Sequence, residues 1–265
     1  MATKSRSQQR LVRPWTGEGS GEDRRADRLA SEEPMAIELD DVRVATTMRT
    51  PGNDFELAVG FCFAEGLLDG HRVTQVKYCA KGSAAATDFN VVSVSTGGKA
   101  PAPRPRLTTT TSSCGFCGTS EIDELVSKLD EVTGEPVPWE VLASAPEQLR
   151  PGQELFDATG AVHAAGVVAA DGSVSLVRED VGRHNAVDKL VGRLFLDGRL
   201  PATGLGLVVS GRASFELVHK AWAGGFRALV AVSAPTALAA ATADAAGMQL
   251  AGFARNGAMT VYVDA

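Results

Sequence analysis

The chain has 265 residues, 44% of them hydrophobic and 22% charged, with a net charge of −6. This supports a sizeable core in one or two domains and argues against nucleic acid as the main partner. No apolar run approaches the roughly 18 residues of a membrane span, and four cysteines are too few for a disulfide scaffold, so a reducing, cytoplasmic setting is expected.

Residues 1–33 mix both charge signs with Ser, Gly and Gln and lack an apolar stretch. They are expected to form a disordered leader rather than a signal peptide. Residues 34–96 read as a small α/β unit. Alternation predicts a hairpin of 35–39 and 42–48 across Asp40-Asp41, then a buried helix from Asn53 or Asp54 to about Leu68, then strands over 73–78 and 89–94. Cys62 and Cys79 fall in these apolar segments and are expected to be ordinary buried thiols. The next stretch, 97–120, opens with Gly97-Gly98-Lys99-Ala100-Pro101-Ala102-Pro103-Arg104-Pro105-Arg106, which can be neither strand interior nor helix, so a flexible, basic arm is expected. Lys99, Arg104 and Arg106 would either guide that arm to an acidic partner or simply solvate it.

Residues 121–265 alternate helices and strands. After a short amphipathic helix to about residue 129 and a Pro-rich break at 135–138, a helix is expected near 147–157, with strands near 162–169 and 174–177. A helix over 183–196 carries Val187, Leu190, Val191, Leu194 and Phe195 as its apolar stripe. Leu205-Gly206-Leu207-Val208-Val209 reads as a buried strand, Ser214 as the cap of the next helix, and 228–232 as a further strand. An Ala-rich helix after Pro235 and strands at 250–253 and 259–263 complete a three-layer α/β domain around a mostly parallel sheet.

Chemistry concentrates in Ser112-Ser113-Cys114-Gly115-Phe116-Cys117-Gly118. Two thiols at this spacing can share a metal, close a disulfide, or let one cysteine carry a leaving group that the other helps release. Structural zinc needs four ligands and no second Cys-x-x-Cys exists, which leaves only a site completed by His or by a second subunit. Order and content argue against zinc deaminase chemistry: Ala165 stands two residues after His163 where Glu is required, the Cys pair precedes the histidine, and Ser113 stands where Pro should be. His219 shares a helix face with Phe215 and reads as a packed residue. Three loops sit where an α/β sheet gathers ligands: Glu179 to Asn185, Ser210 to Ser214, and Phe253 to Ala258. Arginines beside glycines there suit phosphate or pyrophosphate, although Asp and Ser at such places also serve as helix caps.

The motifs Ser113-Cys114-Gly115-Phe116-Cys117-Gly118, Arg178-Glu179-Asp180-Val181-Gly182-Arg183-His184-Asn185-Ala186-Val187-Asp188-Lys189, Ser210-Gly211-Arg212-Ala213-Ser214-Phe215-Glu216, Ser233-Ala234-Pro235-Thr236 and Gly252-Phe253-Ala254-Arg255 occur in this order. On them the chain resembles the FdhD family from about Glu33 onward. The resemblance implies a sulfurtransferase that takes sulfane sulfur from a cysteine desulfurase and passes it to the molybdenum bis(molybdopterin guanine dinucleotide) cofactor before that cofactor enters formate dehydrogenase. It implies a C-terminal domain like the cytidine deaminase fold, a persulfide at Cys114, and a cofactor segment at Phe253, Ala254, Arg255, Asn256, Gly257 and Ala258. Arg183, His184, Lys189, Ser210, Arg212 and Ser214 are the expected further cofactor contacts, with a guanine nucleotide as mimic. Cys117 would release the sulfur or tune the first thiol, and a homodimer is expected. A plain dithiol oxidoreductase and a non-catalytic chaperone of cofactor or apo-enzyme are the alternative readings.

Overall fold

The computed structural model describes residues 4–15, 24–79, 83–102 and 129–265. Cys114, Cys117 and the helix expected up to residue 129 therefore lie outside the described residues.

The described part of the leader is ordered into a ribbon, contrary to the expectation from its composition. β1 (Ser7–Val12) pairs antiparallel with β2 (Arg25–Ala30), Ser7 opposite Ala30. What sequence hydropathy misses is that polar contacts fasten its base: Lys4 pairs with Glu33 and Asp88, Arg6 with Glu179, and Ser31 N–H donates to Arg6 O at 2.8 Å.

β3 (Glu33–Leu39) and β4 (Val42–Arg49) form the expected hairpin, with Asp40 and Asp41 both at positive φ (44° and 68°), the left-handed pair that a tight turn between twisted strands requires. β3 also pairs in parallel with β6 (Val91–Ser95), which pairs with β5 (Gln75–Tyr78), giving the order β4-β3-β6-β5. α1 (Asp54–Ala64) covers this sheet, packing Leu57, Ala58 and Cys62 on Met35, Ile37, Leu39, Val92 and Val94. It ends four residues before the expected Leu68. Its first residue is occupied otherwise than as a cap: the Asp54 carboxylate takes two hydrogen bonds from the buried Arg49 guanidinium, at 3.1 and 3.0 Å. Burial pushes the Cys62 thiol up to about 12, so it stays protonated and inert. Cys79 is half-buried rather than buried, because the chain leaves β5 there with φ +56°.

The larger sheet has six strands in the order β12-β11-β10-β9-β7-β8: β7 (His163–Val168), β8 (Val174–Asp180), β9 (Gly206–Val209), β10 (Ala228–Ala231), β11 (Gln249–Arg255) and β12 (Ala258–Val263). It is mixed, which corrects the expectation of a mostly parallel sheet. Only β9/β10 and β10/β11 are parallel; β7/β8, β7/β9 and β11/β12 run antiparallel. The β7/β8 and β11/β12 connections are too short for a crossover, so those pairs must fold back. The single helix expected near 147–157 is two, α2 (Trp139–Leu149) and α3 (Glu154–Thr159), because Pro151-Gly152 interrupts it.

Alternate strand residues face opposite layers. Leu207, Val209, Leu229 and Ala231 pack with α4 (Arg183–Leu196), α5 (Phe215–Ala223) and α6 (Ala237–Ala245), whereas Val208, Ala228 and Val230 pack with Leu142, Ala145 and Leu149 of α2. The predicted stripe of α4 is in this core except Phe195, which turns to Phe63 of α1 at 5.3 Å between ring centroids. The N-terminal unit is keyed into the larger one where α1 and α4 cross at Gly60 and Gly192. A Cβ on Gly60 would lie 1.9 Å from Asp188 O, and one on Gly192 1.8 Å from Glu56 O, so the backbones touch. Buried ions line the same seam: Lys220 with Asp188 at 2.7 Å and Glu65 at 3.4 Å, and Lys189 with Asp180 at 2.7 Å.

Candidate functional site

Short connections deliver polar residues to one end of the six-stranded sheet. β8 ends at Asp180 and turns through Val181-Gly182 into α4, so Arg183 and His184 occupy its first turn. β9 runs into the 210–214 loop, after which α5 begins. β7 is antiparallel to both, so its first residue, His163, lies opposite Asp180 and beside the end of β9.

The side chains interlock there. Ala164 N–H donates to Ser210 Oγ at 2.9 Å, and that oxygen stands 3.5 Å from His163 Nδ1. Ser210 Oγ can accept a second hydrogen bond or donate its own proton, so the contact links the serine to the ring in either tautomer. Burial, then the nearby Arg183 and His184, lower the His163 pKa against the opposing pull of Asp180, so the ring is neutral at pH 7. His184 Nε2 meets Glu216 Oε2 at 2.6 Å and Ser214 Oγ at 3.4 Å. Ser214 thus holds the N-cap position of α5 without making the capping bond expected of it. A Cβ on Gly211 would stand 3.4 Å from His163 Nδ1 and 3.6 Å from Arg183 Cδ; a bare glycine keeps the space between those side chains open. Among the described residues, Arg183 Nε is buried without a hydrogen-bond partner, a donor of the sort an anionic ligand would satisfy.

The expected contacts divide on this geometry. Arg183, His184, Ser210 and Ser214 come together, with Arg212 exposed on the same loop. Phe253 joins them at one remove: its N–H donates to Ser233 O at 3.2 Å, and Ser233 N–H donates to Gly211 O at 3.2 Å. The residue is 47% exposed and its φ is +54°. Ala254 is buried. Arg255, Gly257 and Ala258 are exposed, and the Asn256-Gly257 turn leans toward α2, with Asn256 N–H donating to Glu147 Oε1 at 2.6 Å. Lys189 is displaced from the site altogether. It is 1% exposed, and its ammonium is spent on Asp180, on Thr50 O at 2.9 Å and on Glu179 O at 3.3 Å. It joins β8 to the end of β4; a ligand cannot reach it.

An open cavity of about 370 Å3 lies next to the cluster, lined by Arg150, Phe156, His163, Ser210 and Val232 among others. Sequence reasoning overlooked Glu216, although it lies inside a quoted motif, and treated His163 only as a failed zinc ligand. The β7–β8 register that sets His163 against Asp180 has no local sequence signal. Among the described residues, no three His, Cys, Asp or Glu side chains converge as a metal site, and no helix is long and apolar enough to cross a membrane.

Known proteins share this architecture and sequence. A crystal structure of a candidate formate dehydrogenase accessory protein from Desulfotalea psychrophila superposes with a TM-score of 0.75 over 97% of each chain at 22% identity, a likeness of fold. The sulfur carrier protein FdhD of Streptomyces coelicolor is 46% identical over 253 residues, covering 91% of this chain and 89% of its own. That of Corynebacterium efficiens is 44% identical over 252 residues, 90% of each chain, and that of Mycobacterium tuberculosis 44% over 257 residues, 91% of each. The FdhD/NarQ family model matches residues 30–265, which takes in the four- and six-stranded sheets and every motif above. The chain belongs to the FdhD/NarQ family.

Proposed function

We propose that this chain is a sulfur carrier that loads Cys114 with persulfide sulfur from a cysteine desulfurase and delivers it to the molybdenum bis(molybdopterin guanine dinucleotide) cofactor before formate dehydrogenase receives it. The observation that carries the reading is the named role of relatives about 44% identical over nine-tenths of the chain, taken with the Ser113 to Gly118 motif. The Cys114 thiolate attacks the terminal sulfur of the donor's persulfide; the donor's cysteine leaves as thiolate and Cys114 becomes Cys114–S–SH. Sulfur leaves when the Cys117 thiolate attacks Cys114 Sγ and expels hydrosulfide toward the cofactor. The resulting disulfide is reopened by a dithiol reductant.

The cofactor is the substrate here, and the polar cluster suits its guanine dinucleotide. Arg183 Nε lacks a partner among the described residues, Arg212 is exposed on the 210–214 loop, and the α4 N-terminus adds backbone donors. Helices on both faces of the mixed sheet accord with a deaminase-like fold. We place the protein in the cytoplasm as a homodimer.

Intact mass after incubation with a cysteine desulfurase and cysteine tests the carrier step. The expected result is an added sulfur, abolished by Cys114→Ala. No addition in the wild type would refute the carrier role and leave the chaperone reading. Reversible oxidation with no retained sulfur would instead identify a dithiol oxidoreductase.

A further inference from the structure

From Gln8 to Leu11 and from Arg25 to Leu29, every residue of the β1–β2 ribbon is exposed. Directly opposed residues share a face, so Leu11 lies with Ala26 and Arg28 on one side, and Leu29 with Gln8, Arg10 and Asp27 on the other. Leu11 is 64% exposed, Leu29 42%, and Trp15, three residues past the end of β1, 74%. They belong to no hydrophobic cluster of the described residues. A two-stranded ribbon has little stability of its own in water. This one is held at its base, by Lys4, Arg6 and the Ser31 N–H, and where β2 lies against α3. The apolar side chains farther out add nothing to that hold.

The ribbon also reverses the sign of the molecule. The chain carries −6 overall, yet the described residues of the ribbon and its outer end bring Arg10, Arg13, Arg24, Arg25 and Arg28 against Asp27. Arginine and tryptophan beside exposed leucine are the residues that anchor protein–protein contacts, and the sign calls for an acidic partner. A partner as extended as a nucleic-acid duplex or an anionic bilayer would also face the acidic remainder of the chain and be repelled by it. A protein cleft that takes only the ribbon avoids that cost. Its place in the fold is equally specific. β2 lies against α3, whose Phe156 lines the cavity beside His163. Arg6 pairs at 3.4 Å with Glu179, the carboxylate that accepts from Leu155 N–H at 3.0 Å and Phe156 N–H at 2.8 Å. The ribbon therefore stands at the rim of the site, and a protein seated on it is held beside the cavity mouth.

We infer that the ribbon is the docking arm for the protein that receives the cofactor: it enters an acidic cleft of cofactor-free formate dehydrogenase, with Leu11, Trp15 and Leu29 as apolar anchors and the arginines on the acidic rim. This rests on the reading that the chain delivers a cofactor to that enzyme, and it adds the surface of contact. The family match begins at residue 30, after β1 and nearly all of β2, so docking on the ribbon is separable from sulfur transfer.

Binding of the immobilised full chain to purified cofactor-free formate dehydrogenase from the same source, at low and high salt, tests the arm. The variants are Arg10→Glu with Arg28→Glu, and Leu11→Ser with Trp15→Ser. All four side chains are exposed, so melting temperatures should match the wild type's. Sulfur loading from a cysteine desulfurase, read by intact mass, is measured on the same proteins and tests the carrier reading separately. The expected result is about a tenfold or greater loss of affinity in each variant, wild-type binding that weakens with salt, and unchanged sulfur loading. Folded variants that bind the enzyme as the wild type does, or a wild type that does not bind it, overturn the arm; sulfur still loaded on Cys114 then spares the carrier reading. A loss seen only toward the desulfurase, double-stranded DNA, phosphatidylglycerol vesicles or a second copy of this chain overturns the arm in favour of that partner. Absent sulfur loading in the wild type overturns the carrier reading itself.

Discussion

Gly192→Ala sets two effects of opposite sign against each other. In an isolated helix, replacing an interior glycine by alanine gains about 1 kcal/mol. Here the new Cβ would stand 1.8 Å from Glu56 O and 2.7 Å from Gly60 N, where ordinary contact begins near 3.4 Å. The obstacle is the backbone of α1, not a side chain that can rotate aside, so the two helices must part by about 1.5 Å along the seam that holds the N-terminal unit. Overpacking of a tight core costs about 1–3 kcal/mol and more where backbone must move, so the overlap exceeds the propensity gain. The expected net loss is about 2 kcal/mol, or about 4–8 °C in melting temperature for a chain of this size. Gly60→Ala should cost a similar amount, since its Cβ would meet Asp188 O at 1.9 Å. The double variant should cost clearly less than the sum, because the first substitution already opens the crossing. Urea unfolding of the four proteins is the assay. A Gly192→Ala chain as stable as the wild type, or strictly additive losses, would refute the close-approach argument.

Three further outcomes follow from buried titratable groups. Lys220 sits between Asp188 and Glu65; burial alone would lower its pKa, but the two carboxylates outweigh burial and hold it up at about 12. Burial also pushes Asp188 up to about 6 against the Lys220 charge. The Lys220 direction is the firmer, since its ammonium has two carboxylate neighbours. Lys220→Met should therefore cost about 3–5 kcal/mol by taking the ammonium from the buried Asp188 carboxylate, with part of it recovered on adding Asp188→Asn; an unchanged denaturation midpoint would contradict this. Burial lowers His219 to about 4, below its ordinary 6.5, so the unfolded chain binds the proton first as pH falls. Stability from this residue is intact above pH 6.5 and declines by about 3 kcal/mol on acidification through pH 4. His219→Gln should flatten that part of the stability–pH curve, and a profile identical to the wild type's would exclude His219 as its source. Lys189→Met should lower stability by several kcal/mol and leave the guanosine diphosphate affinity of the folded fraction unchanged; selective loss of affinity would return Lys189 to the binding site.

Periodicity and punctuation made much of this chain legible. The Asp40-Asp41 hairpin, the α4 stripe, the β9 run and the glycine stop after α5 are local features, set within a few residues by side-chain period and turn chemistry. Motif order alone carried the family. Decisions involving distant partners were closed to that reading. The ribbon of β1 and β2 is fastened because Lys4 and Arg6 find carboxylates far along the chain, and strand direction in the larger sheet depends on which neighbour each strand meets. Lys189 stands in a ligand-like motif, yet it is buried because α1 packs on α4 at two glycines and brings Thr50 to it. His163 carries no motif and gains its role only when antiparallel pairing sets it beside Ser210 and opposite Asp180. Sequence fixes what each residue can donate, accept or bury; long-range packing decides which of those capacities remains free for a ligand.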